Sequence, residues 1–173
     1  TPGLAFLVWN TTCIYWVYNA ISAVNLAIVA AFVSLIPFGL GALLMTFAFW
    51  LYYKLSRGSS KYVAYTGLIS FYVAMEYLHQ TWDLNFPWMT LGNGLAGMHQ
   101  LAQWYEYTGV YGGSLWILLS NILAFEAYKM LRSEIKGYSK WRPALLWFLV
   151  VAIPTGLSLT KYAQYKEKFM PVN

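Results

Sequence analysis

From Thr1 to Tyr53 the chain carries no Asp, Glu, Lys or Arg. A water-soluble fold cannot hide an uncharged, mostly apolar stretch of that length, because a domain of this size has too little interior for it. A spanning helix takes about 20 residues at about 1.5 Å of rise each, so the stretch has room for two spans, predicted at 3–17 and 26–53. Tyr18-Asn19-Ala20 separates them, with Asn25 following. Pro37, near Gly39 and Gly41, predicts a kink in the second span, since proline removes one backbone bond and crowds the preceding turn. Dividing the stretch into three spans at Pro37 leaves short pieces.

The rest of the chain repeats the theme. Further apolar runs predict spans at 62–78, 110–130 and 143–159, the fourth opened by Gly112-Gly113 and the fifth begun at Pro143, a favourable first helical position. Residues are 60% hydrophobic and 10% charged, where a soluble domain is roughly a quarter charged. Aromatics make up 20%, which suits interfacial belts of Trp and Tyr. The predicted fold class is therefore all-α integral membrane, with about five transmembrane helices and one long aromatic-rich loop. The apolar runs are too many and too long for a secretory signal.

The basic residues set an orientation. Lys54, Arg57 and Lys61 form one connector, softened by Gly58, Ser59 and Ser60; Lys129, Arg132, Lys136, Lys140 and Arg142 form another. Positive connectors stay on the cytoplasmic side. The net charge of +5 thus reports membrane sidedness, and no nucleic-acid partner is expected. Residues 79–109 fall outside, as does the polar tail 161–173, although Lys161, Lys166 and Lys168 run mildly against this. A long domain beyond the tail would be exported whatever the local charge. The expected organisation is a transmembrane domain over 1–160 and a periplasmic tail over 161–173. Because the chain opens at Thr1, directly in apolar sequence, the expectation is a fragment of a longer protein.

Candidate chemistry concentrates between Glu76 and Gly109, a stretch with no Lys or Arg that holds Glu76, Asp83, Glu106, His79 and His99. Glu76 sits near the outer end of the third span, where an ionisable group is costly and points to function; His79 follows one turn later on the same face. Glu76 could equally brace the loop as a hydrogen-bonded carboxylate. Spacings of Asp83, His79, His99 and Glu106 match no zinc or di-metal pattern, so neither a metal nor another cofactor is expected. No serine lies between Ser70 and Ser114, so a Ser–His–Asp set has no support. Glu126 reads as a snorkelling ion pair with Lys129, Asn121 as an interhelical hydrogen bond, and the single cysteine, Cys13, as a buried small hydrophobe. Phe86-Pro87-Trp88 and the following Met89 to Gly94 combine rings, a stiff turn and glycines, a composition suited to a rim dipping into the headgroup layer. Trp104, Tyr105 and Tyr107 surround Glu106 on the approach to the fourth span. A small polytopic transporter lined by Glu76, Asn121 and Glu126, or a lipid-binding membrane scaffold, is the alternative class; the chain lacks the inverted repeat and paired broken helices of many transporters.

At MEYLHQTWDLNFPWMTLGNG (75–94), QWYEYTGVYGGSLWILLSN (103–121) and, more weakly, LVWNTTCIYWVYNA (7–20), the sequence resembles the apolipoprotein N-acyltransferases, in the form seen in Bacteroidetes-like bacteria. The resemblance implies a multi-pass enzyme of the bacterial inner membrane. It would move a fatty acyl chain from a phospholipid donor to the α-amino group of a lipoprotein's N-terminal diacylglyceryl-cysteine. It implies a ping-pong mechanism through a cysteine thioester, with the catalytic cysteine, glutamate and lysine in an exported nitrilase-like domain after the helices. Cys13, Lys161 and Glu76 match none of the three, so no catalytic residue is expected in this chain and the segment alone is expected to be inactive. The implied role is to hold donor and acceptor lipids for the domain above. On this resemblance the substrate-positioning residues are Glu76, His79, Phe86, Pro87, Trp88, Asn93, Trp104 and Glu106. Glu76 falls on the family's helix-end glutamate and Phe86-Pro87-Trp88 on its aromatic loop; the family often carries Arg where His79 stands, which argues against a phosphate-binding role there.

Overall fold

A computed structural model describes residues 1–133 and 137–165. Lys136 of the second basic connector, and the tail from Lys166 to Asn173 including Lys168, lie outside the described residues. Every regular element among those described is helical. Three helices are long and apolar enough to cross a membrane: α3 (Ala27–Ser56), α5 (Tyr105–Arg132) and α6 (Arg142–Gln164). Together with α1 (Pro2–Cys13), α2 (Trp16–Ser22) and α4 (Lys61–Thr81), they make an all-helical integral membrane protein. The chain divides into two compact units, Thr1–Thr90 and Leu91–Asn173.

In the first unit, α1, α2 and α4 each pack on α3. The buried stripe of α3 is Ala30, Ser34, Phe38, Gly41, Ala42, Met45 and Ala48. Small residues at helical spacing let neighbouring backbones approach closely, the usual device where lipid removes the hydrophobic drive between helices. α3 runs unbroken through Pro37, without division into shorter spans. α4 opens on a Ser60 cap, whose hydroxyl accepts from the Val63 N–H at 3.5 Å. Its buried stripe is Ala64, Leu68, Tyr72, Glu76 and His79, one continuous face.

Two sequence expectations are corrected by this packing. α1 ends at Cys13, where Thr11 and Thr12 donate back to the Leu7 and Val8 carbonyls at 2.8 Å each, a competition that weakens a helix end. Cys13 is exposed rather than buried: the inward face at this end is taken by Asn10 and Ile14, four residues apart, and Cys13 lies off that face. In the second unit, Asn121 makes no cross-helix bond: its amide donates to Ile117 O one turn back at 2.8 Å, since that carbonyl is the nearest acceptor for an outward-facing side chain.

The second unit pairs α5 with α6, and a 3-10 segment, Leu91–Leu101, packs on both. The helical course of α5 is interrupted at Gly109, with φ +64, a left-handed conformation that glycine adopts without the Cβ penalty. Glu126 and Lys129 form an ion pair one turn apart, as their spacing allows.

Candidate functional site

The end of α4 carries most of the chemistry of the first unit. Glu76 is 7% exposed and His79 is equally buried. After Thr81 the chain folds back over this end. Phe86 N–H donates to His79 O at 3.2 Å, and Gln80 Nε2 donates to Thr90 Oγ at 2.8 Å. Thr90 Oγ in turn donates to Pro87 O at 2.9 Å, closing the 3-10 turn Pro87–Met89. The fold-back forms because proline fixes φ at the start of that turn and supplies a carbonyl, not an amide, to its hydrogen bond.

Beneath the fold-back lies a cavity. The centre of a water-sized sphere can occupy about 30 Å³ of it, and its wall includes Asn10, Tyr72, Glu76, His79 and Thr90 among apolar neighbours such as Met45 and Phe86. Two of these residues were not singled out from sequence. Asn10 of α1 is fully buried, and its amide nitrogen donates to Phe6 O at 2.9 Å and to Met45 Sδ at 3.5 Å. It rests against Gly41 of α3, where an added Cβ would collide with the Asn10 amide oxygen. Tyr72 lies one turn before Glu76 on the buried face of α4. A polar amide in an uncharged apolar helix, and a hydroxyl four residues before a membrane carboxylate, are the signals that mark them.

The sequence-derived residues fall into two sets. Glu76, His79, Phe86, Pro87 and Trp88 belong to the first unit. Within it Glu76, His79 and Phe86 line the cavity, whereas Trp88 is 62% exposed and meets Trp16 edge-on with ring centroids 5.5 Å apart. Asn93, Trp104 and Glu106 belong to the second unit. There Trp104 Nε1 donates to Leu101 O at 3.1 Å and its ring meets Tyr105 and Trp116 edge-on. Glu106 is exposed and forms an ion pair with Lys161 of α6. Asn93 is exposed on the 3-10 segment, which Gly92 clasps to α5: Gly92 N–H donates to Ser114 Oγ at 3.0 Å and Gly92 O accepts from Tyr105 OH at 2.8 Å. Among the described residues no group of three His, Cys, Asp or Glu side chains is placed to hold a metal ion.

These helices have a counterpart in known sequences. The profile of the apolipoprotein N-acyltransferase N-terminal domain matches residues 3–123. The chain belongs to this family. The apolipoprotein N-acyltransferase of Chlorobaculum tepidum is 35% identical over 48 residues, a stretch covering 28% of this chain and 9% of that relative. The chain therefore matches a small part of that N-acyltransferase's length. No solved structure matches it. The N-acyltransferase profile spans the cavity-lining residues of α1, α3 and α4, the Pro87–Met89 turn and the Gly92 clasp.

Proposed function

We propose that this chain is the membrane-embedded part of an enzyme that transfers a fatty acyl chain from a phospholipid to the α-amino group of a lipoprotein's diacylglyceryl-cysteine. Its task is positioning: it holds donor and acceptor by their acyl tails in the bilayer and presents the reacting ester or amine to a catalytic domain carried elsewhere in the protein. The observation that carries this reading is the buried carboxylate of Glu76, set with His79 in a largely apolar cavity within a chain of the N-acyltransferase family. A carboxylate at membrane depth is kept only where it serves a purpose. Phe86, Pro87 and Trp88 form a rim against lipid, with Asn93, Trp104 and Glu106 as further lipid-positioning side chains.

The topology we propose is five spans, 3–17, 26–53, 62–78, 110–130 and 143–159, in the bacterial inner membrane, with 79–109 and the tail 161–173 periplasmic and the tail leading to a nitrilase-like domain. Support comes from the basic connectors. Lys54 lies over the Trp50 ring at 5.5 Å, Arg57 over Tyr53 at 5.8 Å, Lys129 over Phe125 at 4.8 Å and Arg132 over Tyr128 at 4.8 Å. Such pairs of cation and ring suit helix ends at the cytoplasmic headgroup layer.

The test is acyl transfer by the full-length protein in proteoliposomes, from phospholipid to a diacylated lipopeptide with a free amine. Activity is expected, with Trp88→Ala slowing the phospholipid-dependent half-reaction about tenfold, on the order of one lost aromatic contact. Absence of any acyl transfer, or a Trp88→Ala variant as fast as the parent, contradicts the assignment and the rim respectively.

A further inference from the structure

One turn of the second unit is set apart from the helix it leads into. Gly109 has φ +64 and ψ −172, a backbone region that glycine enters freely and other residues enter only under strain. Nothing lies within 4 Å of the position a Cβ would take there, so glycine answers to backbone conformation and not to crowding. Before it, the chain is anchored by Gln103, whose N–H donates to Ser158 Oγ of α6 at 3.1 Å, and by Tyr105, whose hydroxyl donates to Gly92 O at 2.8 Å. Between these anchors and Gly109, residues 106–108 are exposed. Lys161 of α6 holds them: its ammonium pairs with the Glu106 carboxylate, donates to Tyr107 OH at 3.5 Å and lies over the Tyr107 ring at 4.6 Å. The Lys161 and Glu106 side chains are 37% and 65% exposed, and an ion pair so open to water is weak and screened by salt. On the inner side of the same turn, Tyr105 and Glu106 wall a cleft with Asn93, His99 and Gln103, in which the centre of a water-sized sphere can occupy about 400 Å³.

We propose that residues 106–108 are a strap across the side of this cleft, hinged at Gly109 and latched to α6 by Lys161. With the latch closed, Glu106 stands in the cleft wall. With it released, the strap swings out about Gly109 while Gln103 and Tyr105 stay anchored, and the wall at Ala102 gains access from outside. Three features fit such a device. The hinge is a single residue that absorbs the change in backbone direction, held in a conformation typical of switch regions. The latch is an exposed ion pair, made and broken at little cost. The inner edge is held by separate hydrogen bonds, which confine the motion to the outer residues. The strap gives Glu106 a task apart from any contact with lipid, and it concerns the second unit alone.

The experiment uses the full-length protein in nanodiscs at low and high salt. Backbone hydrogen exchange, which reports local opening, is read by mass spectrometry. Maleimide labelling of an Ala102→Cys reporter, in a Cys13→Ser background, reads access to the cleft. Lys161→Met is expected to raise exchange across 104–109, where the Tyr107 N–H bonds to Trp104 O, by about threefold, the scale of one exposed ion pair. The thermal midpoint stays unchanged and reporter labelling quickens in step. High salt is expected to do the same to the parent, which decides the matter should Lys161→Met fold poorly. The swapped pair, Glu106→Lys with Lys161→Glu, is expected to restore the parent rates, which a Lys161 that merely packs would not do. Gly109→Ala is expected to raise exchange about tenfold on the strap alone, since opening relieves the strain of a side chain forced to positive φ. Unchanged exchange in Lys161→Met or at high salt overturns the strap. So does a swapped pair that fails to restore the parent rates, a Gly109→Ala rise that spreads into 110–132, or reporter labelling that does not follow the exchange. None of these readouts needs acyl transfer, so the strap stands or falls apart from the enzymatic reading.

Discussion

The two units solve the same problem of polar groups in an apolar chain in opposite ways. Among the described residues of the second unit the buried polar side-chain atoms are matched within the protein. Gly92 is clasped on both sides by Ser114 and Tyr105, Gln103 N–H donates to Ser158 Oγ at 3.1 Å, and Trp116 Nε1 donates to Val150 O at 2.7 Å. These bonds tie α5 to the 3-10 segment, the turn before α5 to α6, and α5 to α6, so polarity there acts as an adhesive between helices. In the first unit Asn10 Oδ1 and the Tyr72 hydroxyl stay unmatched around a cavity that also receives Glu76 and His79. The lesson is that buried polar residues of similar type tie helices together where their partners are internal, and that those without internal partners do not serve that purpose.

Substitutions can break or sharpen this contrast. The largest effect is expected at Gly92, where an added Cβ would run into the Val110 carbonyl oxygen, a backbone atom that cannot move aside. Gly92→Ala is expected to destabilise by about 3 kcal/mol or to abolish folded yield, read by thermal unfolding in detergent, while Gly97→Ala, which meets open space, stays near the parent. Ser158→Ala comes next: it strands the Gln103 N–H and is expected to cost about 1–2 kcal/mol in the same measurement. Gly41→Ala in the first unit is comparable, about 1–2 kcal/mol, because its Cβ meets the amide of Asn10, a side chain rather than backbone but one that is buried and hydrogen-bonded. Tyr72→Phe is smallest, neutral within about 0.5 kcal/mol, since the hydroxyl it removes has no partner to lose. A Tyr72→Phe cost equal to that of Ser158→Ala would erase the distinction between the units.

Much of this was legible in the sequence, for local reasons. Apolar runs bounded by Lys54, Arg57 and Lys61 or opened by Pro143 mark helices because span length and proline geometry are local properties. Glu76 and His79 declare themselves by spacing on one helix face, and the pairing of Glu126 with Lys129 follows from the same rule. What could not be read depends on contacts between distant segments. The orientation of Asn10 is set by Met45 and Gly41, more than thirty residues away, and the constraint on Gly92 is set by Val110 and Ser114. Cys13 and Asn121 were read as inward-facing because their runs are apolar throughout, which leaves a membrane helix without the contrast that tells its inner face from its outer one.

The central claim, that the roofed cavity at the end of α4 holds substrate rather than bracing the fold, is tested most directly by Glu76→Ala in the full-length protein, with acyl transfer to a lipopeptide amine and thermal midpoint measured on one preparation. The account predicts transfer lowered about a hundredfold, the scale of a misplaced reacting group, with folded yield close to the parent. Equal losses of transfer and folded yield, or full transfer in the variant, would contradict it.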